Sequence, residues 1–152
     1  MENCIFCKIV ERKIDSAVIW EDKDFLAILD VNPNMKGMTL VLAKAHYGSY
    51  AFDLPDGVYA KFFDAAKAVA QLLEKALGVH RVALVMEGMG VDHAHLKLYP
   101  LPGVKKEFGE TWAKERAFFE TYEGYLSTQL GPPADIAELK KFAEEIRKHA
   151  SK

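Results

Sequence analysis

The stretch His93-Ala94-His95-Leu96-Lys97-Leu98-Tyr99 alternates polar and apolar residues without a break. That is the two-residue period of a strand with one face on a core. Ala94, Leu96 and Leu98 are therefore expected inward, with His93, His95, Lys97 and Tyr99 together on the opposite face. Same-face neighbours on a strand lie roughly 6–7 Å apart, close enough for two imidazoles and an amine to act on one ligand. A polar strand face that merely meets water is the plain alternative.

The segments on either side supply partners for this strand. Arg81–Met86 is apolar and β-branched and leads through the turn Glu87-Gly88-Met89-Gly90, giving a fourth strand before the His93 strand as the fifth. Upstream, Ala17-Val18-Ile19-Trp20 and Phe25-Leu26-Ala27-Ile28-Leu29 are joined by a charged connector of hairpin length, and Met38–Ala43 follows the loop Asp30-Val31-Asn32-Pro33-Asn34 and Lys36-Gly37. Between the third and fourth strands, Val58, Phe62, Ala66, Val69, Leu73 and Leu77 recur at three- and four-residue spacing. This is the apolar stripe of a long helix lying on a sheet, with Asp53 as its capping candidate and Gly78 as its stop. The order predicts an α+β fold: a five-stranded antiparallel sheet with one long helix packed on it. A C-terminal helix over 134–150, with Ile136, Leu139, Phe142 and Ile146 on one side, is set apart by Gly131-Pro132-Pro133. Trp112–Phe119 reads as a helical turn or two, and Tyr122–Leu130 as aromatic and irregular. A sheet of five strands leaves an edge that needs a partner or a covering segment, and the final helix is one candidate.

A chain of 152 residues with 50% apolar and 28% charged residues has the size and composition of one globular domain, and its longest apolar runs are too short to span a bilayer. Membrane insertion is not expected. Met1-Glu2-Asn3-Cys4 shows no basic and apolar leader, which makes the cytoplasm the expected compartment and reduced cysteines the expected state. A net charge of −2 offers no general attraction for nucleic acid, so any phosphate affinity must be local.

Cys4-Ile5-Phe6-Cys7 admits three readings: a redox dithiol, two unrelated buried thiols, or half of a tetrahedral zinc site. His46, just past the third strand, is by itself only a loop histidine. Asp92 is either a carboxylate that orients His93 or a turn residue. His149, in the last turn of the final helix, is expected to be exposed.

Taken in order, these pieces resemble the histidine triad (HIT) family of nucleotide hydrolases and transferases. Cys4-x-x-Cys7 with Lys8-Ile9 is similar to the start of its zinc-containing bacterial branch. Leu29-Asp30-Val31-Asn32-Pro33 is similar to the ribose-side strand and loop, Lys36-Gly37-Met38-Thr39-Leu40-Val41 with His46 to the third strand and its terminal histidine, and His93-Ala94-His95-Leu96-Lys97 to the His-x-His-x-His signature. The resemblance runs from Cys4 to about Pro100. It implies a nucleotide-binding unit over 1–103, with 104–152 as an extension of the same domain. It further implies His95 as the nucleophile at an α-phosphorus and Asp30 as the ribose ligand, with Ile28 and Leu29 beside the base. Cys4, Cys7, His46 and His93 would hold a structural zinc, and the protein would be a homodimer. Hydrolysis or transfer of nucleoside phosphoramidates or dinucleoside polyphosphates through a nucleotidyl-histidine intermediate is the implied activity.

The sequence departs from the family pattern at named positions. Lys97 stands at the third signature position, Met38 stands where a histidine is common, and the turn 87–92 is short and lacks the Gly-Gln-Ser or Gly-Gln-Thr segment. Lys97 can place an ammonium against a phosphoryl oxygen, which makes it a candidate for both substrate binding and catalysis. A nucleotide-binding module with little or no turnover is the competing reading, and a redox protein using Cys4 and Cys7 a third.

Overall fold

The structure is a computed structural model describing residues 3–112, 117–124 and 131–150. Its elements follow in the order α1 (Ile5–Val10), β1 (Val18–Glu21), β2 (Phe25–Leu29), β3 (Thr39–Ala43), a 3-10 turn (Ala51–Asp53), α2 (Asp56–Leu77), β4 (Val82–Val85), β5 (His95–Pro100) and α3 (Ile136–Arg147). The strands form one antiparallel sheet in the order β1-β2-β3-β5-β4. The expected α+β sheet with a long helix is what the chain adopts.

Both faces of this sheet are covered. Ala27, Leu29, Val41, Ala94, Leu96 and Leu98 meet Phe62, Ala66, Val69 and Leu73 of α2 and Leu139, Ala143 and Ile146 of α3. On the other face Leu26, Ile28, Leu40 and Leu42 meet Phe6 and Ile9 of α1. Burial on both sides makes β2 wholly apolar and β3 apolar after its buried Thr39, whereas β5 keeps its alternation because its second face carries His95 and Lys97. At the edge, β4 is only partly buried.

The Cys-x-x-Cys pair opens a helix, α1, with Cys4 at its N-cap and Cys7 inside it, although six residues give too few turns for a periodic signal. It persists because Phe6 and Ile9 are buried, each worth about 1.5–3 kcal/mol. Asp53 does not cap α2. It ends the 3-10 turn, Leu54 before Pro55 is extended, and Pro55 takes the N-cap position without a side-chain bond. Gly78 does close α2, at φ +65°. The final helix is shorter than 134–150 and starts after Asp135, whose carboxylate accepts from the N–H groups of Ala137 and Glu138. No helix includes Trp112 or residues 117–119, and the rest of the turn expected there, together with residues 125–130, lies outside the described residues.

The extension is stitched to the body. Gly131 N–H donates to the Asn32 carbonyl at 3.2 Å and Ala134 N–H to that of Val31 at 2.8 Å. A Cβ on Gly131 would fall 1.9 Å from the Pro33 oxygen, so this close approach requires glycine. Farther on, α3 packs beside α2 and over β1, where Arg147 donates to the Val18 carbonyl and Lys140 pairs with Asp15 at 2.5 Å. It therefore covers the β1 side of the α2-bearing face.

Candidate functional site

Two clusters of polar side chains lie on the α1 face of the sheet, and the first joins three separate segments. Cys4 precedes α1, Cys7 lies within it, His46 follows β3, and His93 precedes β5. Cys4 Sγ is 3.4 Å and Cys7 Sγ 3.6 Å from His93 Nδ1, Cys7 Sγ is 3.3 Å from His46 Nδ1, and the two Nδ1 atoms are 3.2 Å apart. All of the donor atoms lie within 4.8 Å of one another. A tetrahedral zinc with bonds of about 2.3 Å to sulfur and about 2.0–2.1 Å to nitrogen has donor separations of about 3.3–3.8 Å. The residues present fit zinc.

His93 is fully buried, and its Nε2–H donates to the Ala43 carbonyl at 2.8 Å. That bond fixes the tautomer, turning an Nδ1 lone pair toward the sulfurs. Asp92 does not orient this ring. Its Oδ1 accepts from the Ser49 N–H at 2.9 Å, which ties the loop after His46 to the loop before His93 and holds its carboxyl below the usual range. Gly88 takes φ +76° against Ser49, whose carbonyl oxygen would lie 2.5 Å from a Cβ there. The two loops are thus clamped together on both sides of the cluster.

The second cluster centres on His95, the first residue of β5. Its Nδ1–H donates to the His93 carbonyl at 2.6 Å, which leaves Nε2 with its lone pair. Burial keeps the imidazole below the ordinary histidine range, and the nearby Lys97 ammonium adds to that, while the bond to the carbonyl opposes both. Phe6 of α1 meets His95 edge-on at 5.1 Å and His93 at 5.7 Å. One short helix therefore supplies a cluster ligand and a wall for His95. Asp30, just past β2, is buried on the same face, and its Oδ1 accepts from the Asn32 N–H at 2.8 Å. Lys97 Nζ lies 3.4 Å from Glu87 Oε2, with side chains only 12% and 2% exposed, and Glu87 Oε1 accepts from the Tyr122 hydroxyl. The carboxylates of Asp30 and Glu87 and the Lys97 ammonium all act on His95.

A family model described as the HIT domain matches residues 11–101 of the chain. The chain belongs to the HIT family. A HIT-like protein of Methanocaldococcus jannaschii is 36% identical over 115 residues, covering 70% of this chain and 88% of that one. An adenosine 5'-monophosphoramidase of Schizosaccharomyces pombe is 33% identical over 116 residues, 72% of this chain and 83% of its own. In fold, the chain is similar to a zinc-bound histidine triad family protein from Mycobacterium smegmatis, with a TM-score of 0.70, 21% identity, and coverage of 98% and 94% of the two chains.

Most of the residues singled out in this HIT sequence do converge. Cys4, Cys7, His46 and His93 form one cluster, and His95, Lys97, Asp30 and Ile28 share the α1 face. Leu29 does not join them. Strand alternation turns it to the opposite face, where it is 2% exposed in the core against α2. Glu87 and Tyr122 were missed. A glutamate opening a Gly-containing turn reads as turn chemistry, and Tyr122 belongs to a segment without periodicity. Only the β4–β5 register, which pairs Val85 with Lys97, brings Glu87 level with His95.

Proposed function

We propose that this HIT protein is a hydrolase or nucleotidyl transferase acting at the α-phosphate of a nucleoside phosphoramidate or dinucleoside polyphosphate, with His95 as the nucleophile. The observation that carries this reading is the bond from His95 Nδ1–H to the His93 carbonyl, because it leaves Nε2 as the ring nitrogen with the lone pair. In this reading Nε2 forms the bond to phosphorus and the leaving group departs with the electron pair of the broken bond. Water then releases the nucleotide from His95. Asp30 accepts from ribose hydroxyls, Ile28 borders the base, and Lys97 faces a phosphoryl oxygen. The phosphoramidase name of the S. pombe relative supports the substrate class.

Cys4, Cys7, His46 and His93 would hold the zinc, whose contribution is to join α1 to the two loops beside His95. Four protein donors close a tetrahedral shell, so the role we assign is structural. Thiolate ligands require reduced cysteines, consistent with the cytoplasm as the compartment. The partner is a small nucleotide, with neither general nucleic-acid nor membrane binding. Among the described residues no helix is long and apolar enough to cross a membrane.

A second reading, a binding module with weak or no turnover, is favoured by one observation: the Lys97 ammonium is already paired with Glu87. Intact-protein mass decides between them. Brief mixing with adenosine 5'-phosphoramidate, or with diadenosine tetraphosphate, is expected to add one nucleoside monophosphate to the wild type and none to His95→Ala. The variant should still bind AMP. Nucleotide binding without adduct or product in the wild type would overturn the enzymatic reading in favour of the binding module.

A further inference from the structure

Among the described residues, Lys97 and Asp30 share the α1 face of the sheet with His95, and Glu87 stands level with His95 across the β4–β5 pair. Glu87 is the unexpected member, because it occupies the turn where the family resemblance leads one to look for phosphate-binding donors. Its side chain is 2% exposed, so solvent and salt screen its charge poorly. It engages Lys97 across 3.4 Å, so that ammonium is shared with a carboxylate instead of being offered whole to an anionic group. A polyphosphate or sulfate leaving group brings negative charge beside the buried Glu87 carboxylate. An amine does not, and its N–H groups are attracted by a carboxylate.

We propose that Glu87 is a specificity-determining residue that sets the site for substrates whose leaving group is an amine and against those that leave as an anionic phosphate or sulfate. This rests on the reading of His95 as the attacking group and narrows its substrate class. In the favoured step, His95 Nε2 forms a bond to the α-phosphorus as the phosphorus–nitrogen bond of the substrate breaks. The departing nitrogen keeps the electron pair and takes a proton from solvent. Water oxygen then bonds to phosphorus, the pair of the phosphorus–Nε2 bond returns to the imidazole, and the proton lost by water goes to solvent. Glu87 neither gives nor takes a proton in this sequence. It acts through its charge, and the Tyr122 hydroxyl, donating to Oε1, joins the C-terminal extension to that carboxylate.

The test pairs a binding ratio with a rate ratio on the full-length protein. Calorimetric titration with AMP and ADP compares ligands that differ by one anionic phosphate on the leaving-group side. The value of kcat/KM for adenosine 5'-phosphoramidate against diadenosine tetraphosphate compares the two leaving groups. Wild type is expected to bind AMP more tightly than ADP and to favour the phosphoramidate. Glu87→Gln should narrow both ratios by about tenfold, the scale of one poorly screened charge, and Glu87→Asp, which keeps the charge, should restore most of the preference. Ratios unchanged in a folded Glu87→Gln protein would overturn the proposal. So would tighter binding of ADP than AMP by the wild type, whatever the variants do. AMP binding with the expected ratio but no turnover of either substrate would sink the catalytic reading alone. Absence of AMP binding by the wild type would sink both.

Discussion

Adjacent residues of β2 lie on opposite faces of the sheet, which on the proposed reading separates nucleotide binding from stability. Ile28 lies on the α1 face with Leu26, Leu40 and Leu42, whereas Leu29 is packed in the core with α2 and α3. Leu29→Ala should therefore cost about 2–5 kcal/mol of unfolding free energy, as buried leucine truncations do, while leaving AMP affinity within about twofold in the folded protein. Ile28→Ala is expected to weaken AMP binding as well, by removing a wall of the proposed base site. Urea denaturation and calorimetry on both variants check the pair. Equal losses of AMP affinity would mean that the face assignment does not govern the base site. At Asp92 the expected effect is smaller, because the bond it accepts from Ser49 is exposed to solvent, and Asp92→Ala should lower the denaturant midpoint only slightly.

Among the elements, α1 depends most on something outside itself. A six-residue helix with no side-chain cap at its N-terminus does not stand alone. Phe6 and Ile9 hold one side, and the Cys4 and Cys7 sulfurs converge on His46 and His93. Removing the metal with a strong chelator should lower Tm by about 10 °C, the scale of a tight ligand lost from the folded state of a chain this size. Hydrogen exchange is expected to rise first in residues 5–10. Elemental analysis should find about one zinc per chain in the wild type and much less in Cys4→Ser. A metal-free protein with unchanged Tm and unchanged protection of α1 would remove zinc from the account. How far the sequence speaks follows the same division. β5 and α2 were legible because each repeats its pattern for several periods against a core that reads it back. The ligand set was legible only through its order in the family, since nothing in the Cys-x-x-Cys pair alone brings it to His46 and His93. By contrast, α1 is too short to carry a period, and Glu87 reaches His95 through strand register, a long-range property that local reading does not contain.

For the molecule as a whole, the open question in the fold is its free sheet edge. The β1 side is covered by α3, but among the described residues β4 pairs only with β5 and is half-buried, with Leu84 38% exposed and Phe63 on the neighbouring α2 40% exposed. An edge strand with unpaired backbone groups and apolar side chains is a template for a second copy. A homodimer that meets along β4 would satisfy both, continuing the sheet and burying Leu84 and Phe63, and it would place two His95 sites in one particle. Light scattering after size exclusion should then give about twice the 17.1 kDa chain mass. Leu84→Lys puts a cation on each side of a self-complementary contact, so the two copies repel where they had packed, and the mass should fall to that of one chain. Truncation before α3 is a different perturbation. It uncovers the core around Ile19 and Ala17 and should lower Tm without dissolving the dimer, because α3 packs at the β1 end of the sheet, the edge opposite to β4. If Leu84→Lys stays dimeric while the truncated chain becomes monomeric, the contact is made by α3, and the β4 edge must be protected in some other way.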